Sequence, residues 1–101
     1  MSGPFDLVVR NAAVVTAGDL QHCDVGVRGG RVVALGERLE RGAREIDAAG
    51  RYVLPGGVDG HCHLDQPMPA PMIMADDFAT GTRSAACGGT TTVIPFAAQA
   101  K

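Results

Sequence analysis

A chain of 101 residues, 46 % hydrophobic and 20 % charged, has room for one small globular unit and is too apolar for a disordered tail. A net charge of -2, three Phe, one Tyr and no Trp, with no basic run, argue against a nucleic-acid partner. No long apolar stretch offers a membrane span or a secretory leader.

From Phe5 to Leu54 the text is a series of short β-branched runs cut by turn residues. "DLVVRNAAVVTAG" predicts one strand near Leu7–Arg10 and a second near Ala13–Thr16. "DVGVRGGRVVALG" reads as a hairpin: Val25 and Val27 alternate, Gly29-Gly30 turn, and Val32–Leu35 return. Two glycines suit a turn that needs positive φ at both central positions. "REIDAAGRYVLPG" predicts a further pair of short strands around a turn at Ala49-Gly50. Several brief antiparallel strands over some fifty residues imply a sandwich or a small open sheet.

After Pro55 the pattern changes, so residues 1–55 and 56–101 read as separate regions. "GGVDGHCHL" is a strand candidate, and prolines 67, 69 and 71 break the loop behind it. "DDFATGTRSAACGG" predicts a helix with Asp76 or Asp77 at its start and Gly88-Gly89 as a left-handed stop. Its apolar face would carry Phe78, Thr82, Ala85 and Ala86. Interior Gly81 costs about 1 kcal/mol relative to Ala, so the helix needs tertiary support. "TTTVIPF" is a second strand. Strand, loop, helix, strand is a βαβ unit, and two parallel strands with one helix leave a sheet face uncovered. The second region therefore reads as the opening of a larger α/β barrel.

Two of the three histidines stand one residue apart, in "DGHCHLD". If residues 58–64 are extended, Asp59, His61, His63 and Asp65 share one face, and Val58, Gly60, Cys62 and Leu64 share the other. A wholly polar strand face needs a purpose. Two imidazoles can reach one divalent ion at about 2.0–2.1 Å each. His63 then sits at the C-terminal end of its strand, where parallel barrels keep their active sites. Two surface histidines on an edge strand would equally need no metal, and two ligands fall short of the three or more that zinc takes. His22 is read as solvated, in a turn. Cys23, Cys62 and Cys87 form no CxxC and are expected to be reduced, buried thiols of a cytoplasmic protein.

"VLPGGVDGHCHLDQP" followed by "DDFATGTRSAACGGTTTVIPF" resembles the N-terminal region of cyclic amidohydrolases, in the dihydropyrimidinase/hydantoinase branch of the amidohydrolase superfamily. "VRGGRVVALG" and "EIDAAGRYVLPGG" resemble the strands leading into the barrel. The resemblance implies an α/β fold: strands of a small β-sandwich domain, then the start of a (β/α)8 TIM barrel, incomplete here. It implies two divalent metals, zinc in most relatives, with His61 and His63 as ligands of one. A carboxylated lysine, two more histidines and a proton-shuttling aspartate would come from beyond Lys101. Lys101 is too early to be that lysine, and Tyr52 precedes the barrel. The implied chemistry is metal-assisted attack of hydroxide on a ring amide, opening a dihydropyrimidine or hydantoin to an N-carbamoyl amino acid.

Dihydroorotases of this superfamily carry arginine two residues after the second histidine, where this chain has Asp65. That carboxylate favours an uncharged or apolar ring substituent. Met68, Met72, Ile73 and Met74 make the next loop apolar, and Gln66 and Met68 are expected to face the substituent's pocket. The resemblance further implies a small cyclic amide as substrate, no nucleic-acid or membrane partner, and a homo-oligomer, a tetramer. Alternatives are a non-catalytic scaffold relative, which would tend to lack the histidine pair, an allantoinase or dihydroorotase, and a self-standing binding protein. An uncovered edge strand at Thr90–Phe96 argues against the last. The 101 residues alone are expected to be inactive.

Overall fold

The computed structural model describes residues 3–99, so Lys101 lies outside them. The chain divides into two compact units, one running to Pro55 and one beginning at Gly56.

In the first unit, β1 (Phe5–Val15), β2 (Leu20–Arg28), β3 (Arg31–Gly36), β4 (Gly42–Asp47) and β5 (Tyr52–Val53) form one mixed sheet. The order is β3-β2-β1-β4, with β5 also on β1. Gly29 and Gly30 take φ of 58° and 73°, the left-handed pair expected of a two-residue hairpin turn. β2 and β3 pair antiparallel across it.

Two expectations are corrected. The strands expected at Leu7–Arg10 and Ala13–Thr16 are a single strand. The register on β2 slips between Val9 and Ala12, and Asn11 adopts φ 54°. Asparagine tolerates this left-handed conformation better than most side chains, and the bulge absorbs the polar "RN" without ending the strand. Val9 and Ala12, three apart, thereby reach the same apolar cluster. The second correction concerns β4 and β5, which both run parallel to β1. Ala49-Gly50 does not reverse the chain. The Ala48 and Gly50 amides donate to the Arg10 and Asn11 carbonyls at 2.8 Å each. The turn therefore mirrors the β1 bulge and the strand resumes in its old direction.

The core of this unit is Ala12, Val14, Cys23, Val25 and Ala48, with Val9, Val27 and Val53 against it. One buried charge accompanies it. Asp24 accepts from Arg10 Nη1 at 2.7 Å, from the Asn11 amide at 3.0 Å and from the Leu39 amide at 3.1 Å. Burial opposes its charge, but these three donors outweigh that and hold the carboxyl below its ordinary range. His22 lies in β2 opposite Ala13 and not in a turn, and it is exposed.

The second unit contains β6 (Gly57–Cys62), α1 (Phe78–Cys87) and β7 (Thr90–Pro95). β6 and β7 pair in parallel. Asp77 caps α1: its carboxylate accepts from the Thr80 amide at 2.8 Å, and the Thr80 hydroxyl accepts from the Asp77 amide at 3.1 Å. The Thr80 amide, then its hydroxyl, hold the Asp77 carboxyl below its ordinary range. Of the glycine pair, Gly88 has an ordinary φ of -89° and Gly89 alone is left-handed, at 88°.

The packed face of α1 differs from the expected one. Gly81 and Ala85 are half-buried, whereas Phe78, Thr82 and Ala86 are exposed. The cause is Leu64. A Cβ on Gly81 would meet Leu64 Cδ2 at 2.3 Å, so the glycine that weakens the helix is the seat for that side chain. The cysteines are all free, but only Cys23 is buried; Cys62 is half-buried and Cys87 exposed. Cys87 ends α1, where no described side chain covers it.

Candidate metal centre

β6 is extended through Cys62, and its last residues leave the regular ladder. The pairing with β7 slips between Asp59 and Cys62. Asp59 Oδ1 accepts from the His61 amide at 3.1 Å, so this carboxylate serves the local backbone. His63 follows the strand by one residue. The two rings nonetheless converge: His61 Nε2 and His63 Nε2 are 3.2 Å apart and the ring centroids 5.2 Å. Cys62 and Leu64 lie between and after them as half-buried side chains, and Leu64 seats on the helix. This is the alternation expected of an extended segment.

Three contacts fix the pair. His63 Nδ1 lies 2.5 Å from Gln66 Oε1. Phe96, directly after β7, stacks on the His63 ring at 5.3 Å and lies 6.0 Å from that of His61. Its amide donates to the Cys62 carbonyl at 2.8 Å, so the sheet itself places the phenyl beside the imidazoles. Sequence reasoning missed Phe96. The missing signal was register: "TTTVIPF" does not say how far along β6 it reaches.

The spacing suits a cation. Two bonds of about 2.0–2.1 Å subtend about 100° across 3.2 Å, near the tetrahedral angle that zinc prefers. The same separation also suits a hydrogen bond between one Nε2–H and the other Nε2. Among the described residues no group of three His, Cys, Asp or Glu side chains is placed to hold a metal. Asp65, expected on the histidine face, turns away from regular extension with φ 48°, and its amide donates to the Asp76 carbonyl at 3.0 Å.

A pocket of about 200 Å³ adjoins the pair, lined by Gly60, His61, Ile94, Pro95, Phe96 and Ala97. Small-molecule sites occupy about 300–1,000 Å³, so these walls alone do not enclose a substrate ring. Gln66 and Met68 are not among them; Met68 is 40 % exposed on its loop. A roomier hollow of about 410 Å³ on the first unit is lined by Arg10, Asp24 and Glu37 among others. Arg10 there is spent on Asp24 and Glu45, at 2.7 and 2.6 Å, which makes that hollow structural.

No family model matches the chain. A D-hydantoinase of Ralstonia pickettii is 44 % identical over 95 residues, which are 94 % of this chain and 21 % of that protein. The crystal structure of D-hydantoinase from Bacillus sp. AR9 is 53 % identical with a TM-score of 0.82, covering 89 % of this chain and 20 % of its own. That of dihydropyrimidinase from Brevibacillus agri is 45 % identical with a TM-score of 0.85, covering 93 % and 20 %. The chain thus spans about a fifth of the length of the relatives it matches. A β-sheet unit followed by a strand, loop, helix and strand, with paired histidines at the first strand's end, is the part of the fold that these solved D-hydantoinase and dihydropyrimidinase structures share with the chain. Over nearly its whole length the chain is similar to proteins named D-hydantoinase and dihydropyrimidinase. Its fold, mostly strands with one helix, matches the N-terminal β-sandwich region that precedes the TIM barrel in hydantoinases.

Proposed function

We propose that the whole protein is a metal-dependent hydrolase that opens the ring amide of a dihydropyrimidine or hydantoin, with His61 and His63 as two of its metal ligands. The observation that carries this is the approach of the two Nε2 atoms to 3.2 Å at the end of β6. Held in part by His61 and His63, a divalent metal of the zinc kind would supply Lewis-acid polarisation of the ring carbonyl. The chain's own residues present two nitrogen donors and hold their planes. Phe96 stacks on the His63 ring and steadies its plane. Gln66 and Met68 line the approach of the ring's exocyclic substituent, and the Asp65 carboxylate disfavours a substrate carrying its own carboxylate there. The full ligand set, a second metal, the proton-shuttling group and assembly into a homo-oligomer belong to the rest of the protein. Among the described residues no helix is long and apolar enough to cross a membrane. Three free thiols accord with a reducing, cytoplasmic setting.

Hydrolysis of dihydrouracil and of 5-substituted hydantoins by the whole protein, followed as N-carbamoyl product, tests the reading. Turnover that a chelator abolishes and Zn²⁺ restores is expected. Turnover unaffected by thorough metal removal would refute it. The 101 residues alone are expected to show none.

A further inference from the structure

We propose that Gln66 is a positioning residue that fixes the tautomer of His63 and thereby makes its Nε2 a standing electron-pair donor. The inference rests on the metal reading above and adds a residue to it. An imidazole binds a metal only through a nitrogen free of hydrogen. A neutral histidine in water divides its proton between Nδ1 and Nε2, and the Nε2–H form presents the wrong end to the ion. In this chain the carbonyl end of the Gln66 amide faces His63 Nδ1 at 2.5 Å. A carbonyl oxygen can only accept, so in this orientation of the Gln66 amide the neutral His63 ring carries its hydrogen on Nδ1 and leaves Nε2 bare.

The segment from Leu64 to Gln66 is built to hold that contact. Leu64 seats against Gly81 of the helix. Asp65 takes φ 48°, and its amide is tied to the Asp76 carbonyl at 3.0 Å. This left-handed step turns the chain so that Gln66, three residues after His63, comes back onto the ring. Phe96 stacks on the same ring with a 29° interplanar angle. One contact therefore sets where the proton sits and the other sets the plane of the ring. Partners of this kind behind a metal-bound histidine change metal affinity by about 10–100-fold when lost. Glutamine gives the hydrogen bond without adding a negative charge beside the pair, which a carboxylate in its place would add.

The test uses the whole protein labelled with ¹⁵N-histidine, stripped of metal and then titrated with Zn²⁺ against a competing chelator. Gln66→Leu removes the acceptor, and Gln66→Glu keeps one. In the metal-free wild type, His63 should be almost wholly the Nδ1–H tautomer. Gln66→Leu should give a mixture and weaken Zn²⁺ binding by about 10–100-fold. Gln66→Glu should restore both. Unchanged His63 tautomer populations in Gln66→Leu would overturn the proposal, as would unchanged Zn²⁺ affinity. A separate H61A/H63A variant distinguishes the two layers. If it keeps the wild-type metal content, the metal reading itself fails, whatever Gln66 does to the tautomer.

Discussion

The two units solve the problem of burial differently. Every buried apolar side chain among the described residues, from Phe5 to Ala48, belongs to the first unit. There β1 lies between antiparallel β2 and parallel β4 and β5, and the one buried carboxylate has a full set of donors. The second unit has none. Val58 and Ile94 are each more than half exposed, on parallel strands that ordinarily need both faces covered. The first unit holds its own shape by local packing. The second keeps its chemically loaded end in order through a few specific contacts: Leu64 on Gly81, Gln66 and Phe96 on His63.

Amide hydrogen exchange on the 101-residue chain should show the contrast most strongly. Amides of β1 and β2 are expected to exchange on the order of 1,000-fold more slowly than those of β6 and β7. Equal protection in the two sheets would remove the distinction.

Within the first unit the largest single effect should come from Asp24→Ala. It removes the acceptor of the Asn11 and Leu39 amides and one of the two carboxylates paired with Arg10, at a cost of about 3 kcal/mol in chemical unfolding. Asp24 titrates below its ordinary 3.8. Its contribution is complete above that pH and is lost as pH falls from there through the folded value. Glu45 and Asp47 are lowered too, chiefly by hydrogen bonds from Arg10 and Asn11 respectively. Unfolding of this unit should therefore set in below about pH 4, with a shallower acid slope in Asp24→Ala. An identical slope would deny Asp24 its role.

In the second unit Met68→Ala, made in the whole protein, should change the preference between small and bulky 5-substituted hydantoins by about tenfold. An unchanged ratio would take Met68 out of the pocket. The smallest effect concerns the helix. Gly81→Ala should gain nothing while Leu64 is present, because the new methyl meets Leu64 Cδ2. In a Leu64→Ala background the same change should stabilise by about 1 kcal/mol. A gain of equal size in both backgrounds would mean that Leu64 does not sit there.

The sequence showed the hairpin at Gly29-Gly30, the start of α1 at one of Asp76 and Asp77, and the βαβ order, because each is set by residues close in the chain. It did not show that β4 and β5 would lie parallel to β1. That depends on matching a bulge at Asn11 to a turn at Ala49-Gly50 almost forty residues away. The helix face was misread for the same reason: periodicity counts apolar residues, and the packed position is a glycine. At the candidate site, alternation sufficed to bring His61 and His63 together. Phe96 and the contact from Gln66 to Nδ1 depend on cross-strand register and on one left-handed residue, which residue types do not announce.

The central claim is that both imidazoles hold one cation. Its most direct test is a crystal of the whole protein grown with Zn²⁺ and measured at the zinc absorption edge. The account predicts an anomalous peak about 2.0–2.1 Å from both Nε2 atoms. Rings hydrogen-bonded to each other with no peak between them, or zinc bound only at other residues, would contradict it.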